Sequence, residues 1–224
     1  MARLVIFDVD GTLVDSQAFI LAAMRGAFGE AGLEVPPRAD VLGIVGLSLP
    51  QAMAALRPDL APETQAQLVT GYKSAYQTLR ASGAPEAETR FFPGALDALE
   101  RLAEAEHVLG IATGKARRGL DHLLDGHDLR ARFTVTQSSD DAPSKPHPGM
   151  VLNCLEATGI APSEAVVIGD TAFDMEMARS AGARALGVAW GYHTEDRLQA
   201  GGAERLIKSF DALDGALAEL WETA

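Results

Sequence analysis

The feature that most constrains this chain is its amino end. A short run of strand formers, Arg3-Leu4-Val5-Ile6-Phe7, stops abruptly at Asp8-Val9-Asp10-Gly11-Thr12. An apolar run of this length bounded by a turn fits a buried strand of a parallel sheet, and such strands deliver their next residues to the carboxyl edge of the sheet. Similar runs recur at His107–Ala112, Ala165–Ile168 and Ala183–Ala189. A weaker one spans Phe133–Thr136, and Arg205–Ile207 adds a candidate edge strand. Helical patterns separate them, at Gly94–Glu106, Lys115–Leu124, Pro148–Thr158, Thr171–Ala181 and Phe210–Trp221. In the first of these, Leu96, Leu99, Leu102 and Ala103 share one face. The alternation of strand and helix over residues 91–224 predicts an α/β fold with a Rossmann-like parallel sheet.

Residues 15 to about 86 break that rhythm. They carry helical patterns at Ser16–Ala31, Leu49–Leu56 and Pro62–Ser82, with no convincing strand. The reading is a discontinuous catalytic core, residues 1–14 and 87–224, with an all-helical cap inserted at 15–86. The formal net charge of −12 argues against nucleic acid or an anionic membrane as partner. No apolar run approaches the roughly 18 residues that span a bilayer. Acidic residues interrupt the first apolar run, so no secretory leader is expected and the cytoplasm is the expected location. The single cysteine, Cys154, has no intramolecular partner and reads as a core residue of a helix.

The chemistry is concentrated at the ends of the predicted strands. Asp8 and Asp10 are two residues apart, and a turn after the strand can bring the second back toward the first. Neighbouring carboxylates repel and call for a cation, which a hard dication such as Mg²⁺ satisfies with oxygen ligands. Gly11 lets the chain turn closely, and Thr12 offers a hydroxyl and an amide to an anion. Thr113, in Ile111-Ala112-Thr113-Gly114-Lys115, ends the second strong strand, where it can bind a phosphoryl oxygen or cap the following helix. Lys145, in Ser144-Lys145-Pro146-His147-Pro148, is a point charge able to balance phosphate and carboxylates, or simply a solvated cation. His147 reads as a loop residue. Asp170 follows the strand Val167-Ile168-Gly169, and Asp174 lies one helical turn later; both also suit a helix amino end.

Four such segments in this order resemble the haloacid dehalogenase-like hydrolase superfamily, over residues 8–174. The helical insert after the first motif resembles the helical-cap subfamily, and Phe7-Asp8-Val9-Asp10-Gly11-Thr12-Leu13-Val14-Asp15-Ser16 looks like the opening of phosphoglycolate-phosphatase-like enzymes. The resemblance implies Asp8 as nucleophile and Asp10 as general acid and base. It implies a phosphate site of Thr12, Thr113, Gly114 and Lys145. It also implies Mg²⁺ held by Asp8, Asp10 through its main-chain carbonyl, and Asp170, with Asp174 binding through water or orienting Lys145. The expected partner is a small phosphorylated metabolite, with the chain a monomer or homodimer.

Asp10 argues against a dehalogenase, which normally lacks the second acid. Lys73 is the only lysine of the insert and lies outside the loop at residues 43–49, which argues against a phosphonatase. A β-phosphoglucomutase-like isomerase and a non-catalytic binding protein on the same scaffold are the remaining alternatives. Selectivity is expected from the loop Val45–Pro50 and residues facing it, such as Gln17, Phe19 and Lys115. Arg117 and Arg118 are candidate carboxylate binders or plain helix-surface cations.

Overall fold

The computed structural model describes residues 3–84 and 88–222. The expected boundary between residues 86 and 87 lies outside them. Six parallel strands form one sheet in the order β3-β2-β1-β4-β5-β6. They are β1 Leu4–Phe7, β2 Val108–Ala112, β3 Val135–Gln137, β4 Ala165–Gly169, β5 Arg184–Val188 and β6 Arg205–Ile207. Each lies inside, or within one residue of, an apolar run read from the sequence.

β1 sits in the middle, with Leu4 opposite Val108 on one side and Ala165 on the other. Its side chains alternate between the two faces, as a pleated strand requires. Val5 and Phe7 join a cluster that includes Leu99, Leu120 and Leu217, whereas Leu4 and Ile6 join one that includes Met150, Cys154 and Met175. Helices α5 (Ala95–Glu104), α6 (Arg117–Gly126) and α10 (Leu213–Glu222) thus cover one face. Helices α7 (Gly149–Thr158), α8 (Ala172–Ser180) and α9 (Glu195–Gly201) cover the other. Such two-sided burial is why these strands read as continuous apolar runs. It also makes the carboxyl ends of β1, β2 and β4 a point where successive connections diverge, the usual ligand crevice of an open α/β sheet.

Between β1 and β2 the chain forms α1 (Gln17–Glu30), α2 (Arg38–Leu42), α3 (Leu49–Leu56) and α4 (Pro62–Ala81). They enclose a third cluster that includes Met24, Phe28, Met53 and Leu68. Helices α1 and α4 approach closely because small residues face each other. A Cβ on Gly26 would lie 2.7 Å from the Cβ of Ala75, and one on Gly71 would lie 3.3 Å from the Cα of Ala27. That packing accounts for a glycine inside a long helix, where it costs about 1 kcal/mol relative to alanine. The two chain connections to this helical unit run side by side: the amide of Asp15 donates to the Arg90 carbonyl and that of Phe92 to the Leu13 carbonyl.

Candidate active site

β1 carries Asp8 out of the sheet, and the Asp8 amide still donates to the Ile168 carbonyl at 2.9 Å. The chain then turns tightly, with the amides of Thr12, Leu13 and Val14 all reaching the carbonyl of Val9. Gly11 adopts φ +90°, and a Cβ there would lie 2.2 Å from Asp170 Oδ2. Only glycine lets this turn pass beside the acidic residue at the end of β4.

Three carboxylates meet at that edge. Asp8, Asp170 and Asp174 are buried, and one oxygen of each lies within 4.8 Å of the others. Lys145 is fully buried among them, its Nζ 2.9 Å from Asp8 Oδ1 and 2.6 Å from Asp174 Oδ1. Neither carboxylate oxygen of Asp8 accepts a well-aligned hydrogen bond among the described residues. Asp170 differs: Oδ1 accepts from the Thr12 hydroxyl at 3.1 Å and Oδ2 from the Tyr192 amide at 2.8 Å. Asp174 is held by a capping box at the start of α8, accepting from the Thr171 amide at 3.1 Å and the Thr171 hydroxyl at 2.6 Å. Asp174 thus caps its helix and at the same time ion-pairs with Lys145.

The electrostatics follow from crowding. Burial pushes the Asp8 carboxyl up to about 6, the Lys145 ammonium pulls it down, and the charge of Asp174 raises it again. Asp170 is raised well above the usual carboxylate range by burial and by Asp8 and Asp174. For Lys145, burial works against the charged form, but Asp174 and Asp8 outweigh it and raise its pKa. One ammonium among three buried carboxylates leaves an acidic surplus. A donor set of oxygens with unfilled acceptor capacity on Asp8 fits a hard divalent cation, which would remove that surplus.

The Asp10 carboxylate turns away from this cluster. The Ser16 hydroxyl donates to its Oδ1, and Lys115 Nζ lies 2.9 Å from its Oδ2. The metal contribution expected of Asp10 is its main-chain carbonyl, which the side-chain direction leaves unaffected. Lys115 reaches Asp10 because α6 begins at Arg117, two residues later than the periodicity predicts, so Lys115 stands in the loop. Thr113 is buried and accepts from the Lys115 amide at 3.2 Å, so its hydroxyl shapes this loop ahead of the helix. Arg117 is tied to Thr136 and Asp141, and Arg118 is exposed.

The helical unit closes over the same edge. A Cβ on Gly114 would lie 2.4 Å from the carbonyl oxygen of Gly46, and the Ser48 amide donates to the Ser144 hydroxyl at 2.7 Å. His193 bridges the two parts. Its Nδ1 accepts from the Ala172 amide at 3.0 Å, which leaves Nε2 to donate to the Gly43 carbonyl at 3.1 Å. Burial lowers the His193 pKa, consistent with a neutral ring in that bridge. Trp190 Nε1 donates to the Thr12 carbonyl at 3.1 Å. Sequence reasoning missed Ser16, Tyr192 and His193; the aromatic run Trp190-Gly191-Tyr192-His193 directly after β5 was the available signal.

A buried carboxylate at the end of the central strand, a buried lysine and two further acids share this sheet edge, and comparison with known proteins supplies the class. Residues 5–188 match the family described as haloacid dehalogenase-like hydrolase, and the chain belongs to it. Its relatives include the protein named "Probable phosphatase IndB" from Dickeya dadantii, 33% identical over 96% of this chain and 94% of that one. A phosphoglycolate phosphatase from Xanthomonas campestris is 30% identical over 99% of this chain and 96% of its own. A haloacid dehalogenase-like family hydrolase from Streptococcus pneumoniae superposes with a TM-score of 0.82 at 27% identity, covering 96% of this chain and 98% of that one. The chain is thus an enzyme of a hydrolase family, and both curated relatives are named as phosphatases, the first as a probable one. No helix among the described residues is long and apolar enough to cross a membrane.

Proposed function

We propose that this enzyme is a phosphatase that hydrolyses a small phosphate monoester through an aspartyl-phosphate on Asp8, with Mg²⁺ as cofactor and phosphoglycolate as the first candidate substrate. The observation that carries the reading is Asp8 itself: buried at the end of the central strand, 2.9 Å from Lys145, with both oxygens free of aligned hydrogen bonds. A carboxylate so placed is costly as structure and available as a nucleophile.

One Asp8 oxygen attacks phosphorus, and the ester P–O bond breaks. Asp10 gives its proton to the departing alkoxide, then takes a proton from the water that attacks the aspartyl-phosphate. That second attack breaks the bond to Asp8 and releases inorganic phosphate. Lys145, Thr113, Thr12 and the amide of Gly114 stabilise charge on the phosphoryl oxygens. Asp174 holds Lys145 in position. When bound by Asp8, Asp170 and the main-chain carbonyl of Asp10, Mg²⁺ would neutralise the acidic surplus and stabilise phosphoryl charge. In this reading residues 1–14 and 87–224 form the catalytic core, residues 15–86 form a cap that excludes water, and the enzyme works in the cytoplasm.

The test is Asp8→Asn, assayed with p-nitrophenyl phosphate and Mg²⁺. Retained phosphate release would remove Asp8 as nucleophile, and full activity after exhaustive chelation would remove the metal. Isomerisation of a phosphosugar without release of phosphate would favour the β-phosphoglucomutase-like reading.

A further inference from the structure

The loop that joins α2 to α3, residues 43–48, presents different sides to the two parts of the molecule. Val45 is buried in the helical unit's own cluster, with Ile44 and Leu49 packed against it. What the loop turns toward the sheet domain is main chain. The Gly43 carbonyl accepts from His193 Nε2 at 3.1 Å, and the Ser48 amide donates to the Ser144 hydroxyl at 2.7 Å. Between these two points Gly46 takes φ +102°, and a Cβ there would lie 3.2 Å from the Thr171 hydroxyl oxygen. A side chain at that position would meet both an unfavourable backbone conformation and a crowded wall.

Each partner in the sheet domain stands beside the acidic cluster. Ser144 directly precedes Lys145, and the His193 amide donates to the Asp170 carbonyl at 3.3 Å. The His193 side chain is buried, and its ring meets that of Phe173 edge-on at 5.3 Å. The Ala172 amide, at the start of α8, donates to Nδ1 at 3.0 Å. The proton of the neutral ring is then on Nε2, which can only donate. A main-chain carbonyl is the backbone group that matches it, and Gly43 supplies one.

We infer that His193 and Ser144 are positioning residues that hold loop 43–48 seated on the catalytic edge by bonding its main chain. The inference rests on the phosphatase reading for its effect on turnover, and goes beyond it in naming what fixes the lid. Both residues act on the reaction through the loop. They raise the share of molecules whose loop is seated when substrate arrives. Their loss should therefore raise KM and leave kcat nearly unchanged, because saturating substrate restores the seated state.

The test combines kinetics on p-nitrophenyl phosphate with Mg²⁺ and amide hydrogen exchange of the enzyme followed by NMR. Ser144→Ala and His193→Phe should each raise KM by about 3- to 10-fold, the net contribution of one hydrogen bond, with kcat within about twofold. His193→Gln, which keeps a donor, should recover part of the loss. Gly46→Ala, made on the loop's own side, should raise KM likewise, and with Ser144→Ala it decides the matter should His193→Phe fail to fold. Exchange supplies a readout that a local packing defect would not move. In His193→Phe the Ser48 amide, at the far end of the loop from Gly43, should exchange at least about threefold faster while amides of β1 and β4 stay protected. A fall in kcat at unchanged KM, no gain for Gln over Phe, or a Ser48 amide that exchanges no faster, or only in step with the strands, would overturn the latch and leave the phosphatase reading standing. Absence of turnover by the wild-type enzyme would overturn the phosphatase reading, with the exchange at Ser48 still deciding the latch.

Discussion

Asp8 and Asp10 are two residues apart, and each faces its own lysine. Lys145 is fully buried and ion-paired with both Asp8 and Asp174 at the sheet edge. Lys115 is 13% exposed, pairs with Asp10 alone among the described residues, and leans on Tyr76 from the helical unit. The first pair is locked by residues that cannot move without disturbing the core. The second lies at a seam between two separately packed parts. The locked end suits the chemistry proposed for Asp8, and the seam is where side chains of the helical unit can change without disturbing it.

The largest effect should come from the locked end. Asp8→Asn should lower kcat by at least about 10³-fold, because the nucleophile is lost outright. Steady-state phosphate release measures it, and circular dichroism should show the fold unchanged. Lys145→Met should come next, destabilising the protein by about 3–5 kcal/mol in urea unfolding by leaving buried carboxylates without their cation. The equivalent change at the seam, Lys115→Met, should cost less than Lys145→Met, because it leaves one carboxylate without its cation rather than two and both members of that pair are 13% exposed. Equal losses in the two variants would break the comparison.

A third prediction concerns pH and the metal-free protein. The folded pKa of Asp8, about 6, lies above the unfolded value of about 3.8. Between those values the folded state binds more protons than the unfolded state, so stability falls as pH rises through that window. Asp8→Asn should therefore stabilise the chelated protein at pH 7, by up to about 3 kcal/mol from the size of the shift. The gain should vanish below about pH 4, as urea unfolding at several pH values would show. A gain that persists at low pH would mean that charge crowding is not its cause. The smallest effect belongs to the capping box: Thr171→Ala should cost about 1 kcal/mol in thermal or urea unfolding, with a further loss of activity only if Asp174 then releases Lys145.

The strands were legible because a strand buried on both faces has to be apolar along its whole length, and the ends of such strands advertise their polar residues. Asp8, Thr113 and Asp170 stood out for that reason. The short helices α2 and α9 did not, since five and seven residues give too little periodicity to read. Lys115 was credited to the start of a helix, because Leu120 and Leu124 continue a helical pattern back toward it. Its partnership with Asp10 depends on where α6 begins and on a tyrosine 39 positions earlier in the chain (115 − 76). The contacts of His193 with Gly43 and of Gly114 with Gly46 were equally invisible, because nothing local in either segment names its partner.

The position of β1 has a consequence for how the molecule is made. It is the first of the six strands of the sheet to be synthesised, yet its two neighbours begin at Val108 and Ala165. Until β4 emerges, the Asp8 amide lacks its acceptor at Ile168 and the Thr12 hydroxyl lacks Asp170. The segment that carries Asp8 therefore waits for partners far along the chain, and contacts so distant in sequence slow folding. A nascent chain that ends before β4 carries Asp8, β2 and Lys145 but lacks Asp170 and Asp174, so the acidic cluster is completed only once β4 and α8 have emerged.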